Sequence, residues 1–198
     1  MKYIISIMLI FNISAVNANE IFNLLKIPNL KIYNINSSNG LKYLYTVNNF
    51  KIGFKKNISC DKSKKNKLDK KYPIVEKNFN KYKTDFLIKN NLKFIILCEN
   101  LRVSSINTGG VPNTLKRTMI LDINFNLEHF ERMMHHEFFH MIQARHSEIF
   151  DETLWSNFNK KTFKYAECST CSDRTDLNLY ENTDGFLTEY SKSIPSED

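Results

Sequence analysis

The chain has 198 residues, 42% of them hydrophobic, with 28 Lys and Arg against 21 Asp and Glu for a formal net charge of +7. That length suffices for one domain with its own core and is short for two. The positive balance would suit nucleic acid, an anionic surface or an acidic substrate. The lysines, however, gather in CDKSKKNKLDKKY, Cys60 to Tyr72, with no interleaved aromatic to stack a base, which sets nucleic acid aside.

Met1 to Ala18, MKYIISIMLIFNISAVNA, places Lys2 before an apolar run from Tyr3 to Ile13 and small residues up to Ala18. This is the pattern of a secretory signal peptide cleaved after Ala18, and the run is shorter than the roughly 20 apolar residues that span a bilayer. The expectation is an exported chain, periplasmic or secreted, with a single domain over 19–198 and no stable membrane insertion after cleavage. LKIYNI and LKYLYTVNNFKIGF then flank Ser37-Ser38-Asn39-Gly40 as the arms of a hairpin with an Asn-Gly turn. The Lys-rich segment reads as a solvated loop or helix lead-in. Ile74, Val75, Phe79, Tyr82 and Phe86 fall near helical spacing, so a helix is expected from Pro73 to Lys89, with Pro73 in its first turn.

LKFIILCENL predicts a strand from Lys93 to Cys98, INTGGVPNT a turn-rich loop broken by Gly109-Gly110 and Pro112, and RTMILDI a second strand from Thr118 to Ile123. From Asn124 the pattern is helical through Arg145, with Asn124 or Asn126 as cap and Glu128 and Glu131 near the positive end of the dipole. Asp151 to Asp184 is polar, aromatic and weakly periodic, an ordered excursion. These elements compose an α+β fold: a small sheet packed on the two long helices.

Four cysteines, Cys60, Cys98, Cys168 and Cys171, in an exported chain predict two disulfides with three pairings open. Cys168-Ser-Thr-Cys171 reads as a stapled loop, since no second C-x-x-C accompanies it.

The chemistry concentrates in MMHHEFFHMIQ, Met133 to Gln143, which holds the H-E-x-x-H pattern His136-Glu137-Phe138-Phe139-His140. Residues four apart stack on one helix face, so His136 and His140 can aim two imidazoles at one metal ion. Glu137 then stands beside the ion, placed to take a proton from zinc-bound water, whose pKa zinc lowers to about 7. A core helix with two hydrogen-bonded histidines is the competing reading. His135 points to another face and His146 falls at the helix end, so both are expected to be surface or capping residues rather than ligands, and His129 is expected to be structural. A catalytic zinc needs a third protein ligand. The metzincin pattern H-E-x-x-H-x-x-G-x-x-H is broken by Gln143 in the glycine place, which leaves downstream carboxylates: Glu148, Asp151, Glu152, Glu167, Asp184, Glu189, Glu197 and Asp198.

HHEFFHMIQ, followed by Trp155, Phe158-Asn159, Phe163 to Tyr165 and GFLTEYSKSIPSED, resembles a family of bacterial zinc-binding metallopeptidases, over roughly Leu92 to Asp198. The ending is also similar to the catalytic end of anthrax lethal factor, where a Tyr precedes the zinc-binding Glu by the spacing that separates Tyr190 from Glu197. The resemblance implies a zincin-like, gluzincin fold with one catalytic Zn2+ held by His136, His140 and Glu197. It implies Glu137 as general base and Tyr190 as the hydroxyl that stabilises the oxyanion. The strand RTMILDI would be the edge beside the cleft, pairing with an extended protein or peptide substrate. Phe158, Thr162 and Lys192 replace residues of the family pattern, and the family continues past Glu197-Asp198 into a further helix, so a C-terminal truncation is among the expectations. The functional expectation is an exported zinc metallopeptidase. Two readings compete with it: a catalytically inactive secreted binding protein on the same scaffold, and a basic interaction module whose histidines are structural.

Overall fold

The structure, a computed structural model, describes residues 30–52, 57–169, 173–181 and 185–197. The expected leader over 1–18, Cys171, Asp184 and Asp198 lie outside them. Among the described residues no helix is long and apolar enough to cross a membrane.

The chain forms, in order, strands β1 (Leu30–Asn34), β2 (Lys42–Thr46), β3 (Phe50–Ile52) and β4 (Ile58–Asp61), then helices α1 (Lys65–Phe79) and α2 (Thr84–Lys89). Strands β5 (Phe94–Val103), β6 (Ile106–Asn107), β7 (Gly110–Asn113) and β8 (Thr118–Asp122) follow. After them come helices α3 (Leu127–Arg145) and α4 (Glu152–Ser156) and two 3-10 turns, Tyr190–Lys192 and Pro195–Glu197. The expected α+β class holds. β5 organises the sheet: its first half runs parallel to β2 on one side and β8 on the other, while its second half pairs antiparallel with β4 and β6. Passing from one set of partners to the other curls the sheet.

Both faces of β5 are buried, which explains its unbroken apolar run. Ile95 and Leu97 face a cluster built by Leu68, Val75 and Phe79 of α1 and by Phe130, Met134 and Phe138 of α3. Phe94, Ile96 and Cys98 face the opposite cluster, closed by Leu44, Phe50 and Cys60 from the curled strands. The hairpin expected around Ser37 to Gly40 forms, with β1 antiparallel to β2 and Gly40 at φ +75°.

Three expectations are corrected. The helix placed at Pro73 to Lys89 is two helices, and the first starts eight residues earlier, inside the Lys-rich segment. Lysine is a good helix former, and Leu68, Val75 and Phe79 share the buried face, so the segment folds onto the core. Pro73 sits inside α1 rather than in its first turn; it is exposed, as is Asp69, whose carbonyl a residue with an N–H at position 73 would have bonded. The break after Phe79 lets Tyr82 pack its ring 5.0 Å from Phe138 and bring its hydroxyl 2.7 Å from His135 Nδ1.

The loop INTGGVPNT contains β7, whose Gly and Pro hide the strand pattern, and Pro112 has the edge position in which proline is tolerated. The strand RTMILDI is therefore not an edge: β8 lies between β5 and β7. β7 packs against α3 at the border of the sheet.

Candidate metal centre

Asn126 caps α3, its side chain accepting from the Glu128 N–H at 3.1 Å. Phe130, Met133, Met134, Phe138 and Met141 bury one side of the helix. This fixes its rotation and turns His136, Glu137 and His140, all partly buried, toward the C-terminal turns and β7. His136 and His140 have Nε2 atoms 3.0 Å apart.

Glu197 arrives from the last 3-10 turn. Its Oε2 lies 2.9 Å from His136 Nε2 and 3.6 Å from His140 Nε2, and makes no aligned hydrogen bond although it is buried. The ligand atoms of His136, His140 and Glu197 all fall within 4.8 Å of one another, so the three residues could hold a metal ion. Three atoms able to ligate stand this close, and with both imidazoles neutral their lone pairs would be stabilised by a cation between them.

The turn that carries Glu197 is held from several directions. The Ser193 carbonyl accepts from the Ala166 N–H at 2.7 Å, and Arg174 donates one guanidinium nitrogen to the Lys164 and Lys192 carbonyls at 2.9 and 2.6 Å. Tyr190 N–H donates to the Asp176 carbonyl at 3.1 Å, and α4 packs on the Pro195–Glu197 turn.

Electrostatics follow from this crowding. Burial disfavours charge on His140, yet the Glu197 carboxylate beside it more than offsets that, and the imidazole is pushed up to about 9. Burial likewise opposes the Glu197 anion, but His136 and His140 override it and pull the carboxyl down to about 2. Without a metal the centre is thus an ion pair. Glu137 is pushed up, mainly by burial and further by Glu197, against the opposing pull of both imidazoles. Tyr190 is pushed up by burial and by the neighbouring Glu197 charge, and its ring lies 6.3 Å from that of His136.

All five residues expected at the site converge. Among the described residues no other histidine joins the His136, His140 and Glu197 cluster: His135 meets Tyr82 and Asn78 at 2.7 and 3.1 Å, half-buried rather than at the surface, His146 meets Asn90 at 3.1 Å, and His129 lies 3.2 Å from Arg132. Among the rival carboxylates, Glu148 approaches His146, Asp151 caps α4, and Glu189 pairs with Lys192 and Tyr180.

Two residues that sequence reasoning passed over belong to the site. Gln143 Oε1 lies 2.9 Å from His140 Nδ1; with the amide oxygen as acceptor, Nδ1 carries the proton, and the neutral imidazole then turns its Nε2 lone pair to the centre. Gly110 of β7 approaches Glu137 so closely that a Cβ there would stand 2.5 Å from Glu137 Cγ. The Gly109-Gly110 pair was legible as a breaker, and a glycine in a strand also signals close approach.

Cys60 and Cys98 are disulfide-bonded, joining β4 to β5, and Cys168 is also disulfide-bonded. Comparison with known proteins identifies no relative: no family model, no curated protein and no solved structure matches the chain.

Proposed function

We propose that this protein is a zinc-dependent peptidase of the gluzincin kind, exported by its N-terminal leader. The observation that carries the proposal is the convergence of His136 Nε2, His140 Nε2 and Glu197 Oε2 with a carboxylate, Glu137, beside them. The donor set fits zinc. Tetrahedral coordination with bonds of about 2.0–2.1 Å puts ligand atoms about 3.3 Å apart, and the three separations are 2.9, 3.0 and 3.6 Å. Two imidazoles and one carboxylate leave a fourth position for water or substrate.

Zinc, when bound, polarises a carbonyl oxygen and lowers the pKa of water to about 7. The chain's own groups supply the rest. Glu137, its carboxyl raised by burial, has the place and basicity to accept a proton from an attacking water and pass it to a leaving amine. Tyr190, with its hydroxyl kept protonated, donates a hydrogen bond to the oxygen that gains charge. β7 pairs with β8 on one side only among the described residues, and Gly110 sits against Glu137. An extended peptide adding to the outer edge of β7 would pass its backbone beside the general base.

The test is cleavage of unfolded casein by the purified protein, with and without a chelator, alongside Glu137→Gln. Chelator-sensitive cleavage that Glu137→Gln abolishes while retaining bound metal supports the assignment. Cleavage surviving either treatment would refute it, and metal binding without turnover would leave a non-catalytic binding protein.

A further inference from the structure

The net charge of the chain is concentrated in one place. Residues 62–83, from the lead into α1 to the turn before α2, hold nine lysines, two carboxylates and no arginine, an excess equal to the +7 of the whole chain. The rest of the sequence carries as many acidic as basic residues.

Few of these lysines are neutralised within the fold. Lys65 pairs with Asp69 at 2.9 Å, Lys67 pairs with Glu99 at 3.0 Å, and Lys81 stands 4.0 Å from Glu131. The two carboxylates of the segment are also engaged by tyrosine hydroxyls, Asp69 by Tyr33 and Glu76 by Tyr72. Lys62, Lys64, Lys70, Lys77 and Lys83 are exposed, and among the described residues no carboxylate lies within salt-bridge distance of their side-chain nitrogens. Their charge faces solvent.

The helix arranges part of this charge as a ridge. α1 buries Leu68, Val75 and Phe79 and turns Asn66, Lys70, Pro73 and Lys77 to water, at the steps of four and three residues that keep to one face. From Asn66 to Lys77 the ridge runs about 16 Å. A convex ridge cannot enclose a small anion, but an extended anionic surface can lie along it. Lysine also lacks the fork with which arginine selects a single phosphate or carboxylate, so the ridge senses density of charge rather than one chemical group.

The next element decides which surface. α2 exposes Phe86 and Ile88, 42% and 47% accessible, between exposed Lys83 and Lys89, with Asp85 as its one acidic residue. Apolar side chains gain nothing against the phosphates of a nucleic-acid duplex. At the boundary between headgroups and acyl chains they leave water, while flanking lysines reach the lipid phosphates.

We propose that α1 and its corner with α2 form a peripheral docking surface for a bilayer of anionic phospholipid, held by the lysines and seated by Phe86 and Ile88. The inference goes beyond the peptidase reading and does not rest on it.

The purified full-length protein would be sedimented with vesicles of phosphatidylcholine alone and with vesicles containing one-third phosphatidylglycerol. Each would be measured at low salt and at about 0.5 M, where the screening length falls below about 5 Å. Binding to the anionic vesicles, released by salt and absent from the neutral ones, is expected. Lys70→Gln with Lys77→Gln should weaken it by about tenfold or more, while Lys31→Gln with Lys51→Gln, the same charge removed from exposed positions on β1 and β3, should change it by less than about twofold. Ile88→Ser should weaken it by about fivefold. All these positions are exposed and outside the core, so the substitutions leave the packing intact. No binding to anionic vesicles, equal binding to neutral ones, or equal losses in the two double variants would overturn the proposal. Displacement of the vesicles by duplex DNA at matched phosphate concentration would overturn it in favour of nucleic acid.

Discussion

His140 and Glu197 are shifted in opposite directions by one another, and this gives the metal-stripped protein a defined pH response. His140, raised from 6.5 to about 9, contributes stability in full below about 6.5 and loses it as pH rises through about 9. Glu197, lowered from 4.5 to about 2, contributes in full above about 4.5 and loses it as pH falls through about 2. The difference in denaturant midpoint between the stripped parent and Glu197→Gln should therefore be largest between about pH 4.5 and 6.5 and shrink on both sides. A difference that grows toward pH 9 would contradict the pairing. Gln143→Leu removes the group that sets the His140 tautomer and should weaken zinc affinity by about 10–100-fold in competition with a chromogenic chelator. Unchanged affinity would assign Gln143 no part in the site. At this scale His136, Glu137 and His140 were legible because helical spacing is local. Glu197 was one of several downstream carboxylates and was singled out only through resemblance, since a residue brought in from a distant turn leaves no periodic trace. Gln143 was visible only as a departure from another pattern.

Between α3 and β7 the decisive residue is the one without a side chain. A Cβ at position 110 would stand 2.5 Å from Glu137 Cγ and 3.0 Å from Met133 Sδ, so Gly110→Ala must push the strand and the helix apart or turn Glu137 aside. Overpacking of this kind costs about 1–3 kcal/mol, and a misplaced catalytic group about 100-fold in rate. If the proposed function holds, the variant should retain bound metal while losing cleavage; loss of both together would mean that the helix itself had moved. Element boundaries were the least legible feature of the sequence. The Lys-rich start of α1 reads as solvated loop or helix lead-in because its buried positions, Leu68 among them, are sparse. β7 looked like loop because Gly110 and Pro112 carry no strand signal, although tertiary pairing with β8 makes them one. β5 and β8 were found, as short apolar runs, but which of them formed the border of the sheet depended on the unseen β7.

Across the whole molecule, the Cys60–Cys98 bridge ties β4 to β5 within one of the two buried clusters, closing a loop with a sequence separation of 38. Constraint of the unfolded chain by a loop of that size is worth up to about 4 kcal/mol. The Cys60→Ala, Cys98→Ala double variant should lose about 2–4 kcal/mol in denaturant unfolding; a loss below about 1 kcal/mol would mean that packing alone holds β4 to β5. The sequence left this pairing open among three, because connectivity depends on which strands meet, and β4 was among those unseen. The proposed chemistry depends on His136, His140 and Glu197 holding a zinc ion together. Elemental mass spectrometry of the purified protein beside His140→Ala and Glu197→Gln tests it most directly. About one zinc per chain in the parent, lost in the first variant and weakened in the second, is the predicted result. A folded parent without zinc, or zinc retained in His140→Ala, would contradict it.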